Sequence, residues 1–233
     1  METGKTESEA TAGTNPADTE NTGDAGIRED PEMAKRVSEY MLDQCKGMYK
    51  KRTKDWGTKG DQWLKAVHAI MEVYDCASVL DYGAGRAKLG ETLKKEGVDV
   101  QSYEPAFGDS IQDCKPADLV VCTHVLEHVE KDCMSQVLED FRGLAKKAVF
   151  VVVDDGDSSK VWPDGRNSNL NQKDPCQWVK YLRKYFSGRS WDFIRVNRKM
   201  LLREGAMVKL PLNKRKADGN SRILTLIMKR KTK

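Results

Sequence analysis

Asp81, Gly83, Gly85 and Glu104 are the residues whose types and spacing point most directly to chemistry. The run Ser78-Val79-Leu80-Asp81-Tyr82-Gly83-Ala84-Gly85 ends an apolar stretch in an acid and follows it at once with a Gly-x-Gly turn. Val100-Gln101-Ser102-Tyr103-Glu104 is a second short stretch that also ends in an acid. A glycine turn lets the backbone approach a ligand, and a carboxylate one strand over accepts hydrogen bonds from both hydroxyls of a ribose. The two strand ends together suit a nucleoside cofactor.

A dinucleotide fits poorly. Its fingerprint asks for a third glycine, for close helix–strand packing, where this chain has Lys88. Asp81 also sits badly beside a pyrophosphate, whereas it suits a ligand with a cationic amino group. Further along, His124 follows the apolar run Leu119–Cys122. A histidine there is a general-base candidate, because its reference pKa lies close to working pH; the alternative is a residue that caps the strand or borders the cofactor. Asp154 and Asp155 close the apolar run Ala148–Val153. Asp154 is a second catalytic candidate and Asp155 a substrate-steering one, unless both simply open the next loop. His124 and His128 are a helical turn apart, but no third ligand accompanies them, so no metal is expected.

These residues need elements to hold them. Apolar spacing predicts helices within Pro31–Tyr49 and from Asp61, as N-cap, to about Tyr74. Alternation then begins. Strands are expected at Val79–Asp81, Val100–Tyr103, Leu119–Cys122, Ala148–Val153, Trp191–Val196 and Arg222–Met228. Helices are expected between them at Arg86–Glu96, about Asp132–Leu144 and Gln177–Phe186. This order predicts an α/β, Rossmann-like, mostly parallel twisted sheet with helices on both faces. A hairpin-like turn at Lys214–Asn220 gives it an antiparallel C-terminal edge.

Composition sets the outer limits. The net charge of +4 conceals a net −7 over residues 1–32 and a net +11 from Arg195 onward. The acidic stretch lacks aromatic residues and is expected to be disordered. The basic stretch is either a footprint for nucleic acid or another anionic partner, or a solvated edge that discourages aggregation. Residues 33–75 are expected to form a helical cap or lid, with Lys54–Lys59 and Trp56 as part of it, and residues 76–233 the main domain. No apolar stretch is long enough for a membrane span. Six scattered cysteines without a Cys-x-x-Cys pair fit a reduced, cytoplasmic setting.

The Val79–Ala87 run resembles the first motif of the class I S-adenosylmethionine-dependent methyltransferases. Glu104 matches that family's acid at the end of the second strand, and Asp118-Leu119-Val120-Val121-Cys122-Thr123-His124-Val125-Leu126-Glu127-His128-Val129 resembles its fourth-strand motif. The resemblance spans roughly residues 60 to 200. It implies S-adenosyl-L-methionine as cofactor, with Gly83 and Gly85 against the methionine part, Asp81 toward the amino group and Glu104 on the ribose diol. Tyr82, Pro105 and Thr123 complete the expected cofactor set, with Pro105, Ala106 and Phe107 as an apolar wall for adenine. Only thirteen residues separate Glu104 from Asp118, too few for the usual helix and third strand, so that region is expected to be abbreviated.

The acceptor is less constrained. Trp162-Pro163-Asp164-Gly165-Arg166-Asn167-Ser168-Asn169 resembles a Pro-Asp-Gly-Arg-Asn segment of some bacterial and phage methyltransferase-domain proteins. Arg166, Asn167 and Asn169 are its substrate-contact candidates, against the alternative of a polar connecting loop. No Asn/Asp-Pro-Pro-Tyr motif follows the fourth-strand run, and Pro175-Cys176 lies after the wrong strand for cytosine carbon methylation. Methyl transfer to an oxygen or nitrogen of a small-molecule or saccharide-like acceptor is expected. The alternatives are a nucleic acid or protein acceptor, and a cofactor-binding module without catalysis.

Overall fold

The structure is a computed structural model that describes residues 35–50, 55–186, 190–204, 207, 209–210 and 223–231. The acidic stretch of residues 1–32, Lys54 and the Lys214–Asn220 turn lie outside the described residues. In chain order the elements are α1 (Glu39–Lys50), α2 (Leu64–Val73), β1 (Ser78–Tyr82), α3 (Lys88–Lys95), β2 (Asp99–Tyr103), β3 (Ala117–Thr123) and α4 (Met134–Leu144). There follow β4 (Ala145–Asp154), α5 (Pro175–Tyr185), β5 (Trp191–Val196), α6 (Arg198–Glu204), β6 (Lys209–Leu210) and β7 (Ile223–Arg230).

Among the described residues, seven strands form one sheet in the order β2-β1-β3-β4-β7-β5-β6. β1 pairs in parallel with both β2 and β3, and β3 with β4. β7 runs antiparallel between β4 and β5, and β6 is the antiparallel edge. The C-terminal pairing is thus antiparallel, as expected, but α6 intervenes between β5 and β7. The last strand is internal to the sheet rather than at its margin. β2 is the other margin because the Glu104–Asp118 stretch contains only two 3-10 turns, Pro105–Phe107 and Ile111–Asp113.

Period-two alternation divides β4 between two cores. Val149, Val151 and Val153 join Phe141, Trp178 and Leu182 on the face covered by α4 and α5. Ala148, Phe150 and Val152 join Val67, Ile70, Leu89 and Leu201 on the face covered by α2, α3 and α6. Each valine so buried contributes about 1.5–3 kcal/mol of transfer free energy, which accounts for the unbroken apolar run.

One helix start differs from the sequence pattern. Asp61 is not a cap: α2 is entered through a 3-10 turn, Gly60–Trp63, in which Asp61 makes no capping bond. That tight turn drops Trp63 fully into the core and sets Gly60 against Leu89, where a Cβ would stand 3.3 Å from the Leu89 Cβ. Glu127 and His128 belong to a separate 3-10 turn, Leu126–His128, ahead of α4. α2 packs on the sheet, whereas α1 and the 55–60 loop lie over the carboxyl ends of the strands. No helix among the described residues is long and apolar enough to cross a membrane.

Candidate functional site

The chain turns from β1 to β2 on one side and to β3 on the other, and the crevice at such a reversal opens beyond the carboxyl ends of the strands. Gly83, Glu104 and His124 each follow the last residue of a strand there, and Asp154 is the last residue of β4. The Gly83 and Ala84 N–H groups donate to the Tyr103 carbonyl at 2.8 and 3.0 Å, tying the turn to the end of β2. Both glycines have positive φ, 71° for Gly83 and 58° for Gly85. Their neighbours exclude a side chain as well. A Cβ on Gly83 would stand 2.4 Å from Val125 Cγ2, and one on Gly85 would stand 2.7 Å from Gly57 Cα. Gly57 accepts a 2.7 Å hydrogen bond from the Arg86 N–H, so the 55–60 loop lies directly on the glycine turn.

Glu104 caps the Pro105–Phe107 turn. Its Oε1 accepts from Ala106 N at 3.1 Å, and its Oε2 accepts from Gly85 N at 3.1 Å and from the Tyr49 hydroxyl at 3.2 Å. Burial raises its pKa, and those three hydrogen bonds resist the rise. Asp81 is fully enclosed, and burial followed by the charge of Glu104 pushes its carboxyl up to about 7. A cationic group placed against Asp81 would offset both effects. Phe107 is exposed and packs on Tyr49, with ring centroids 4.6 Å apart.

His124 adopts a left-handed backbone, φ 57°, while its N–H continues the ladder to the Val152 carbonyl at 2.9 Å. Its Nδ1 lies 3.1 Å from Glu127 Oε1. Glu127 is only 1 % exposed, so this carboxylate is a fixed partner rather than a surface one. Its Oε1 also accepts from Asp154 N at 3.2 Å, and its Oε2 is buried with no hydrogen-bond partner. Burial by itself raises the Glu127 pKa, but the hydrogen bond from His124 and the charges of His128 and His124 bring it below the ordinary value. A carboxylate at Nδ1 sets the imidazole tautomer and leaves Nε2 for a ligand. His128 differs: its Nδ1 donates to the Ser168 carbonyl at 2.7 Å, and the ring packs 5.1 Å from Trp56 and 5.8 Å from Trp162.

Helix α1 is held over this edge by two acids, the buried Asp140 and the half-buried Glu130. Arg36 forms a two-point ion pair with Asp140, at 2.5 and 2.8 Å, and the buried Tyr82 hydroxyl donates to the same carboxylate at 2.8 Å. Ser38 donates through its N–H and its hydroxyl to Glu130, both at 2.9 Å. The Pro-Asp-Gly-Arg-Asn segment closes on α1 as well. Asp164 accepts from the Tyr40 hydroxyl and from Arg166 Nε, each at 2.8 Å. Asn167 bridges to Ser158 through both ends of its amide.

A cavity of about 600 Å³ runs along the edge. Asp81, Tyr82, Gly83, Gly85 and Glu104 line it, together with Pro105. Thr123, His124 and Asp154 line it as well, and Asn169, buried and donating to the Gly156 carbonyl at 2.6 Å, also borders it. Asp155, Arg166 and Asn167 do not line it; the polar groups of Arg166 and Asn167 are engaged with α1 and with the loop itself. Tyr49, Glu127 and Arg198 line it without having stood out in the sequence. Glu127 had the one available signal, its i,i+3 spacing from His124.

No family model matches the chain, and no curated protein matches it in sequence. Its structure is similar to that of the plantazolicin methyltransferase BpumL in complex with SAH. The TM-score is 0.53 at 9 % sequence identity, covering 86 % of this chain and 94 % of that one. BpumL in complex with a monoazolic desmethylPZN analog and SAH gives a TM-score of 0.52 at 11 % identity, over 86 % of this chain and 97 % of that one. The likeness is one of fold: the chain has the Rossmann-like fold found in class I S-adenosylmethionine-dependent methyltransferases.

Proposed function

We propose that the protein transfers a methyl group from S-adenosyl-L-methionine to an oxygen or nitrogen of a small-molecule acceptor. The observation that carries this reading is the continuity of one cavity from Asp81 and Glu104 to the His124–Glu127 pair. Its volume lies within the roughly 300–1,000 Å³ of small-molecule sites. Asp81 fits a cationic amino group, Glu104 fits a ribose diol, and Pro105 offers an apolar surface beside them. SAH in both similar structures supports the same cofactor.

The bound cofactor supplies a methyl group already activated on a sulfonium. The protein's own residues then have two tasks, orientation and proton removal. The 55–60 loop and α1 cover the glycine turn and limit access of water to it. His124 takes the acceptor proton at Nε2, and the buried Glu127 carboxylate holds the ring through Nδ1 and stabilises the imidazolium that forms. Asp154, whose N–H fixes Glu127, is placed beside this pair as a positioning residue.

A small acceptor is favoured over a nucleic acid because two bases of the C-terminal stretch, Lys229 and Arg230, lie far from the cavity. Pairing of β7 with β4 sets Lys229 opposite Ala148, and Arg230 beyond it, at the end of the sheet away from Asp154 and the cavity. Incubation with methyl-labelled cofactor tests this directly. Label is expected in small hydroxyl or amino compounds, and label confined to RNA or protein would overturn the acceptor assignment.

A further inference from the structure

Arg198 borders the cavity, and its Nε is buried with no hydrogen-bond partner. The guanidinium lies 5.3 Å from the centroid of the Trp63 ring. The His124 ring lies 6.0 Å from the same indole. Trp63 is wholly buried, so it is a rigid base shared by the two side chains. They are separated by no more than the sum of those two distances. That span suits one small molecule that touches both.

A buried guanidinium N–H without an acceptor costs on the order of 1–3 kcal/mol, and folded proteins rarely leave one so. A ligand that brings an anionic oxygen removes this cost. Three further cations border the cavity: Arg36, which is paired with Asp140, and the lysines Lys59 and Lys160. Desolvation and then the charge of Lys59 hold Lys160 below its ordinary pKa, so these lysines also gain from an incoming anion. Asp55, Asp154 and Asp157 border the cavity too, and Asp154 Oδ1 accepts from Gly156 N at 3.2 Å.

We infer that the methyl acceptor is an anion, a carboxylate- or phosphate-bearing small molecule whose negative group is held by Arg198 while its nucleophilic atom reaches His124. The inference rests on the proposed methyltransferase reading and narrows its acceptor. Arg198 is then the residue that sets specificity, because a planar guanidinium pairs with both oxygens of a carboxylate or phosphate.

Calorimetry on protein saturated with S-adenosylhomocysteine tests it, with benzoate and phenyl phosphate as anionic probes and benzamide as the neutral match to benzoate. Benzoate or phenyl phosphate is expected to bind at least about tenfold more tightly than benzamide. Arg198→Gln is expected to erase that preference and keep S-adenosylhomocysteine affinity within about twofold, with Arg198→Lys intermediate. Equal binding of benzoate and benzamide, no anion binding at millimolar concentration, or an undiminished preference in Arg198→Gln would overturn the inference. Should Arg198→Gln lose S-adenosylhomocysteine as well, the wild-type preference alone decides. Failure of wild-type protein to bind S-adenosylhomocysteine would overturn the methyltransferase reading instead.

Discussion

The Tyr49 hydroxyl donates to Glu104 Oε2 at 3.2 Å, so the last turn of α1 touches the carboxylate assigned to the ribose. Burial and the charge of Glu104 hold the Tyr49 phenol well above its ordinary pKa, so it stays a donor at any working pH. A ribose diol must share that oxygen or displace the phenol. Tyr49→Phe is therefore expected to tighten S-adenosylhomocysteine binding by about threefold to tenfold, the equivalent of one hydrogen bond of about 1 kcal/mol. Weaker binding in a calorimetric titration would show that Tyr49 completes the ribose site rather than competing for it.

His124 has a left-handed backbone, which asparagine tolerates better than other substitutes. His124→Asn should leave cofactor affinity nearly unchanged and lower turnover by about 10²–10⁴-fold, the usual contribution of a general base. Glu127→Gln keeps the shape of the site but removes the charge that stabilises the imidazolium, and a smaller loss in turnover is expected. Single-turnover rates at saturating cofactor measure both, and an unchanged rate in His124→Asn would remove the histidine from the mechanism.

Asp81 gives the site a pH dependence of known sign. Its carboxyl is raised from 3.8 to about 7 in the fold, so the neutral form is favoured there. Its contribution to stability is full below about 3.8 and is lost as pH rises through about 7. Ligand-free protein should accordingly lose stability over that interval, and Asp81→Asn should flatten this part of the curve. A cationic amino group needs the ionised form, so cofactor affinity should fall about tenfold per pH unit below that pKa. Chemical denaturation and calorimetry across the same pH range check the two opposite trends.

Asp140 joins α1 to the sheet by accepting from Arg36, Tyr82 and Gln136 together. Asp140→Ala leaves the Tyr82 hydroxyl buried without an acceptor and Arg36 without its partner. A loss of about 3–5 kcal/mol in unfolding free energy is expected, as for other broken buried pairs. Cofactor affinity should fall with it, because α1 covers the cavity; urea unfolding monitored by tryptophan fluorescence measures the first effect.

The chain's own pattern reveals the sheet and half of the site. The Val79–Gly85 run, the Glu104 strand end and the all-apolar β4 are local signals, because alternation and turn chemistry are written in adjacent residues. What stays hidden depends on contacts distant in sequence. Gly57 lies across Gly85 only once the loop has folded back. Asp140 looks like an exposed helix acid until Arg36 and Tyr82 meet it. Arg198 is one base among the thirteen from Arg195 onward, and only the buried Trp63 beneath it sets it apart. The Pro-Asp-Gly-Arg-Asn segment shows the reverse: its density of polar groups is conspicuous in sequence, yet Arg166 and Asn167 hold the loop to α1 and to itself.

Calorimetric titration of S-adenosylmethionine and S-adenosylhomocysteine into wild-type protein and Glu104→Ala tests the account most directly. Both compounds should bind the wild type at one site, and Glu104→Ala should weaken both by about tenfold to a hundredfold, the worth of hydrogen bonds to a charged group. Absence of binding to the wild type, or equal binding to Glu104→Ala, would contradict it.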